Sequence, residues 1–332
     1  MSKIIVRLSV ALVFFFISVG YSCAERNGKV SMGIVTGGLK GTYYQFGLNL
    51  EKLMEQNGIT LNVANSNGSV ENVFAVYKRP NTQMGIVQSD VLAFVAKVQT
   101  DPVLKKIAKK IKMVYPLYNE EVHLLGQGDI ADFDNLEGKK VAIGQEGSGT
   151  YLTAKLLFEI SDIKPSEMLT VGAGEALPSL KAGDIDAMFY VAGFPVKLFS
   201  EQVTAEDNLK LIPIMNKSII EFYPKAEIPA NTYTWQTETV QSVAVKSVLV
   251  SYDFRMTNCY NVGNFANILE TNIDWLRENG HPKWNSVDLD YPLKGWEQYG
   301  CVKNFPGRLR KKVKQNKPDG INPVLEAIKQ IL

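Results

Sequence analysis

From residue 30 the chain alternates short apolar runs with stretches whose apolar positions recur every three to four residues, the periods of strand and helix. VSMGIVT (30–36) predicts a strand, followed by a helix with Phe46, Leu50 and Leu53 on one face. TLNVANS predicts the next strand, and Val70, Val73, Phe74 and Tyr77 mark the apolar face of the helix after it. MGIVQSD, the helical VLAFVAKVQ and the strand IKMVYPLY complete a first α/β unit. A second unit begins near residue 123. VHLLGQ and KKVAIGQ read as strands, TYLTAKLLFEI as a helix and MLTVG as a strand, and EALPSLKAG, AMFYVAG, a helix from Pro195 and LKLIPIM continue the alternation. After the loop-like EIPANTYTWQTET comes the strand VAVKSVLVSY, and from FANILETNIDWLREN onward the chain is mainly helical.

No low-complexity tether separates the units, so the pattern predicts two α/β lobes joined by strands and able to hinge about a cleft. Lobe one would hold residues 27–122 and 250–332, and lobe two residues 123–249. VHLLGQ and VAVKSVLVSY would be the crossing strands.

One local device recurs within this pattern. GGLKGTYYQFG (37–47) crowds glycines against the first turn of a helix. Glycine lets a backbone approach a partner closely, and a helix start presents unpaired N–H groups that suit an anion. SNGSVEN (66–72) repeats glycine and serine before a helix, and GQEGSGTYLTA (144–154) places Gly147-Ser148-Gly149-Thr150 between a strand and a helix. One such stretch is only a tight turn. Three of them, at the ends of parallel strands where ligands of open α/β sheets bind, point to a binding cleft. Two further strand ends contribute Gln88, Ser89 and Asp90, and Tyr190 and Gly193. Asp90 could meet a ligand ammonium or cap the next helix. Lys40, inside the first glycine loop, is the cation nearest these motifs.

Residues 1–24 read as an export leader, with a cationic start (MSKIIVR), an apolar run and a small-residue exit at Ser22 and Ala24, which places cleavage after Ala24. Cys23 raises lipidation as an alternative. Lys3 and Arg7 account for the formal charge of +2, and the remainder balances 34 basic against 34 acidic side chains. That neutrality argues against a nucleic-acid partner. Beyond the leader two cysteines remain, Cys259 and Cys301, and an even count in an exported chain suggests a disulfide, with two separate buried thiols as the other possibility.

Catalytic patterns are sparse. His123 and His281 are the two histidines, which excludes HExxH zinc chemistry, and GSGT is not a nucleophile elbow. His123, within VHLLG, reads as a satisfied core histidine. The expectation is a binding protein with no catalytic residue, cofactor or metal; an enzyme built on the same two-lobed fold and a secreted ligand sensor are the competing readings. The basic stretches KKIAKKIK (105–112) and RLRKKVKQNK (308–317) read as solvated faces, with docking to a membrane protein as the sharper alternative.

GGLKGTYYQFG, NGSVENVFAVY, MGIVQSD, YNEEVHLL, VAIGQEGSGT and AMFYVAGFP, in this order, resemble the TAXI family, the extracytoplasmic solute-binding receptors of TRAP transporters. The resemblance covers about residues 30–270. It implies a two-lobed periplasmic binding-protein fold of type II, in the α/β class, located in the periplasm. It also implies a small carboxylate ligand, such as a glutamate-like amino acid or a 2-oxo dicarboxylate, and TRAP membrane subunits as partners. Carried to this sequence, the pocket positions are Thr36, Gly37, Gly41, Thr42, Tyr43, Gly68, Ser69 and Gln88 to Asp90 on one side. Gly147, Ser148, Gly149, Thr150, Tyr190 and Gly193 face them. Asn67 and Tyr151 depart from the family pattern, and the two cysteines and the basic C-terminal end are not general family features.

Overall fold

The computed structural model describes residues 30–97 and 101–306. The leader, Cys23 and the basic stretch 308–317 lie outside these residues. The described residues begin with β1 (Val30–Val35), α1 (Thr42–Gln56), β2 (Ile59–Ala64), α2 (Ser69–Lys78) and β3 (Met84–Gln88). Two short helices, α3 (Val91–Lys97) and α4 (Pro102–Ala108), lead into the long β4 (Ile111–Gln127). Next come β5 (Lys140–Ala142), α5 (Gly149–Ser161), β6 (Glu167–Leu169), α6 (Ala173–Ala182) and β7 (Ala187–Ala192). α7 (Lys197–Gln202), β8 (Leu209–Leu211), α8 (Lys217–Phe222) and β9 (Lys225–Ile228) precede β10 (Val240–Tyr252). α9 (Met256–Thr271), α10 (Ile273–Asn279) and α11 (Gly300–Lys303) follow.

The strands pair in the order β2-β1-β3-β10-β4-β7-β5-β6, with β8 on β4 and β9 on β10. β2, β1 and β3 are parallel, as are β6, β5 and β7, as the alternating pattern requires. β4 and β10 run antiparallel to each other between these two parallel groups. β3 pairs with Ser247–Ser251 of β10, β9 with Val240–Val243 of β10, and β7 with Glu121–Gly126 of β4.

The structure corrects one sequence-based expectation. IKMVYPLY and VHLLGQ are not two strands; they form one strand of 17 residues. The joined strand contains Pro116, which cannot donate to a ladder. Here it lies beside a register shift of the β4–β10 pair, between Lys246 and Val248, where a donor is not required. The region read as a loop after α8 also contributes β9.

Three apolar clusters enclose the sheet. One packs β1, α1, α9 and α10 around Phe46, Phe265 and Trp284, and another packs α6 and α7 around Leu177, Leu180 and Phe199. The third is shared, since Val73 and Val76 of α2 belong to the same cluster as Leu152, Leu156 and Leu157 of α5. Tyr77, assigned to the apolar face of α2, is half exposed and instead lies against the Tyr252 ring, centroids 5.1 Å apart. A disulfide joins Cys259 of α9 to Cys301 of α11.

Candidate functional site

The C-terminal ends of β1, β3, β5 and β7 open onto one cavity of about 500 Å³. Four helices start at its wall: α1 after Gly41, α2 after Gly68, α5 after Ser148 and α6 after Gly172. The first three are the repeated glycine-rich starts seen in the sequence. The fourth, Gly172-Ala173-Gly174, is missing from the sequence-based set; its glycine pair before a helix was the available signal, but it carries no hydroxyl.

The hydroxyls at these starts share a bonding pattern. Ser69 Oγ accepts from Gln88 N (3.0 Å), Ser148 Oγ accepts from Tyr151 N (3.1 Å) and Thr150 Oγ1 accepts from Val191 N (3.1 Å). A hydroxyl that accepts from a backbone N–H keeps its own proton to donate. All three residues line the cavity, so each keeps a hydroxyl proton there while its oxygen is held. Thr42 does the reverse, donating from Oγ1 to Gly193 O (2.8 Å).

Eleven of the sixteen sequence-predicted residues line this cavity: Gly37, Gly41, Thr42, Tyr43, Gly68, Ser69, Gln88, Ser148, Gly149, Thr150 and Tyr190. The other five are not among its lining residues. Thr36 is fully buried and donates to Ala64 O. Ser89 Oγ accepts from Lys246 N, and Gly147 O accepts from Val70 N (3.2 Å). Gly193 packs so closely on Tyr118 that an added Cβ would lie 2.7 Å from its ring. Asp90 is buried, with Oδ2 accepting from Thr153 Oγ1 (3.0 Å) and Tyr223 Oη (3.3 Å) while Oδ1 has no partner. Burial lifts its carboxyl to about 6.

These bonds tie the two sides of the cavity together. Val70 to Gly147, Thr42 to Gly193 and Thr153 to Asp90 each join a residue of the β1–β3 side to one of the β5–β7 side. The closest approach is at Gly149, where a Cβ would lie 2.0 Å from Gln88 Oε1.

Glu120 is the acidic lining residue that the sequence reading missed. It has the same buried character as its neighbours on β4, and no motif surrounds it. Its Oε1 accepts from Tyr43 Oη at 2.6 Å, and the Gln88 side chain is a second donor. Desolvation holds its carboxyl well above the ordinary carboxylate range. Next to it, Glu121 pairs with Lys283 (2.7 Å), whose ammonium also lies 3.7 Å from the centre of the Phe194 ring. Burial raises the Glu121 carboxyl and lowers the Lys283 ammonium, and their attraction opposes both shifts.

Lys40 stands at the cavity rim, half exposed, with Glu201 at 3.8 Å. His123 lies outside the cavity lining. Its Nδ1 is 3.0 Å from Glu121 O and its Nε2 2.9 Å from Tyr233 Oη, and burial pulls the ring down to about 4. Burial also pulls His281 to about 4, and its Nδ1 accepts from Lys283 N (3.1 Å). Among the described residues, no group of three or more His, Cys, Asp or Glu side chains is placed to hold a metal ion.

Known structures share this architecture. The periplasmic binding protein BugD superposes with a TM-score of 0.51 at 10% identity, over 78% of this chain and 87% of that one. MatC from Rhodopseudomonas palustris, determined with bound malate, superposes with a TM-score of 0.51 at 15% identity, over 79% of this chain and 90% of that one. At such identities the likeness is one of fold, the two-lobed fold of periplasmic binding proteins. Residues 34–256, which carry every strand but the first four residues of β1 and every helix start at the cavity, match the NMT1-like family, and the chain belongs to that family.

Proposed function

We propose that the protein is an extracytoplasmic solute-binding receptor of the TAXI type, which captures a small carboxylate and delivers it to the membrane subunits of a TRAP transporter. The observation that carries this reading is the convergence of four helix starts and three locked hydroxyls on one cavity of about 500 Å³. Backbone N–H groups at a helix start carry a partial positive charge, and three O–H donors beside them hold a carboxylate by directed hydrogen bonds. MatC, which shares the fold, holds malate, a small dicarboxylate.

The lobes of this reading are 27–122 with 250–332, and 123–249. The change of partners along β10, from β9 at Val240–Val243 to β3 at Ser247–Ser251, supports that partition. β4 and β10 are then the hinge. The export leader and periplasmic location belong to the same proposal. The test is mass spectrometry of small molecules released from the purified, denatured protein, followed by calorimetric titration with the acid identified. Recovery of a stoichiometric small carboxylate is expected. Absence of any bound or bindable acid would refute the receptor reading, and turnover of the recovered compound would replace it with an enzyme.

A further inference from the structure

The cavity lining has an unusual charge balance. Its charged residues are Glu120 and Lys40. Lys40 is half exposed at the rim and shares Glu201, so it supplies little field inside the cavity. Glu120 is 2% exposed, and among the described residues no lysine or arginine forms an ion pair with it. The nearest buried ammonium, Lys283, is engaged by Glu121. The donors that do reach Glu120, Tyr43 and Gln88, are neutral.

A buried carboxylate without a cation is expensive, and the expense falls when a cation arrives. A dicarboxylate or 2-oxo acid would bring further negative charge beside Glu120. A zwitterion would bring one group for each feature of the cavity: a carboxylate for the helix starts, an ammonium for Glu120. We infer that Glu120 is the specificity-determining residue of the cleft, receiving the protonated amine of the ligand, and that the ligand is therefore an amino acid rather than a 2-oxo dicarboxylate. Tyr43 and Gln88 are positioning residues that hold the carboxyl toward the amine. The inference rests on the receptor reading and narrows its ligand class.

The elevated proton affinity of Glu120 fits this assignment. Its first cause is desolvation, with nearby Asp90 and Glu121 adding to it, and a ligand ammonium reverses that imbalance.

The experiment compares pairs of ligands with matched shape by calorimetry: L-glutamate against 2-oxoglutarate, L-alanine against pyruvate, and L-leucine against 4-methyl-2-oxopentanoate, with malate as a non-amino acid. In the wild-type protein the amino acid of the pair that binds should be at least about tenfold tighter than its 2-oxo partner. Glu120→Gln, which keeps the shape and removes the charge, should weaken amino-acid binding roughly 30-fold or more, the scale for removing one partner of a buried charge pair, and compress the ratio within the pair. Tighter binding of the 2-oxo acids or of malate overturns the inference and leaves the receptor reading standing. A ratio unchanged in Glu120→Gln overturns it as well. If none of these acids binds and denatured protein releases none, both fall together. The wild-type ratio decides the matter even if the variant does not fold.

Discussion

Gly149→Ala separates a glycine needed for cleft closure from one that merely makes a turn. Gly149 is the first residue of α5 and adopts an ordinary helical backbone, so alanine there is not strained by its own dihedrals. The obstacle is across the cavity. The added methyl would lie 2.0 Å from Oε1 and 2.4 Å from Cδ of Gln88. Gln88 is 1% exposed, its backbone N–H is held by Ser69 and its Oε1 is 3.5 Å from Thr153 Oγ1, so it has little room to retreat. Either Gln88 leaves its place beside Glu120 or the two walls separate. Overpacking of this kind costs about 1–3 kcal/mol, which is roughly 5- to 150-fold in affinity if it acts on the closed form alone. In the open form the methyl meets nothing and improves helix propensity by up to about 1 kcal/mol.

The two effects therefore have opposite signs in two assays. Calorimetric titration with the native ligand should show the affinity loss, while thermal unfolding without ligand should show a midpoint unchanged or raised. The penalty of Gly149→Ala should also shrink in a Gln88→Ala background, because the colliding side chain is gone, and a double-mutant cycle reads that coupling directly. Wild-type affinity in Gly149→Ala would refute the reasoning. So would a lowered unfolding midpoint with unchanged affinity, because the contact would then belong to a permanent core.

The disulfide between Cys259 and Cys301 spans 42 residues, and its loss should lower stability by about 4 kcal/mol on the chain-entropy account; thiol titration of the denatured chain trimmed after Ala24 should find none, and two thiols would contradict the bridge. Asp90, lifted from 3.8 to about 6 in the folded state, is destabilising when ionised, fully so above about pH 6 and not at all below about pH 4. Asp90→Asn should therefore raise stability near pH 7.5, by at most about 3 kcal/mol, and the gain should fade in denaturant titrations as the pH drops toward 4. Lys40→Ala should weaken ligand binding by less than about fivefold, as expected for a half-exposed ion pair, and Ser148→Ala combined with Thr150→Ala should weaken it more; the reverse order in a titration would make the lysine the anchor.

The period of the apolar pattern was enough to assign β1 to α2 and β5 to β7, because strands such as β1 and β7 are buried among helices whose faces alternate with them. It failed at β4. The polar run Asn119-Glu120-Glu121 separated the two expected strands, and it is the pairing with β10 and the partners of the two glutamates that make the segment one continuous strand. The glycine-rich starts were legible because close backbone approach restricts residue type. Glu120 was not, because what makes it part of the site is a tertiary contact with Tyr43, 77 residues away. Asp90 and Gly193 were brought in by their place at strand ends, yet a strand end can turn toward the cavity or toward the core, and both turned inward.

The two imidazoles carry a consequence for the protein's electrical behaviour outside the cell. Every histidine of the chain is held near 4 by burial, so neither changes charge between about pH 5 and pH 8. A protein proposed to work in a compartment whose acidity follows the medium would thus have no imidazole response to that acidity. Protons exchanged by its interior in this range go to carboxyls lifted out of their usual range, Asp90 foremost. Mild acidification of the folded protein then neutralises buried negative charge instead of creating buried positive charge, while the imidazoles freed on unfolding take up protons below about 6.5 and pull stability the other way.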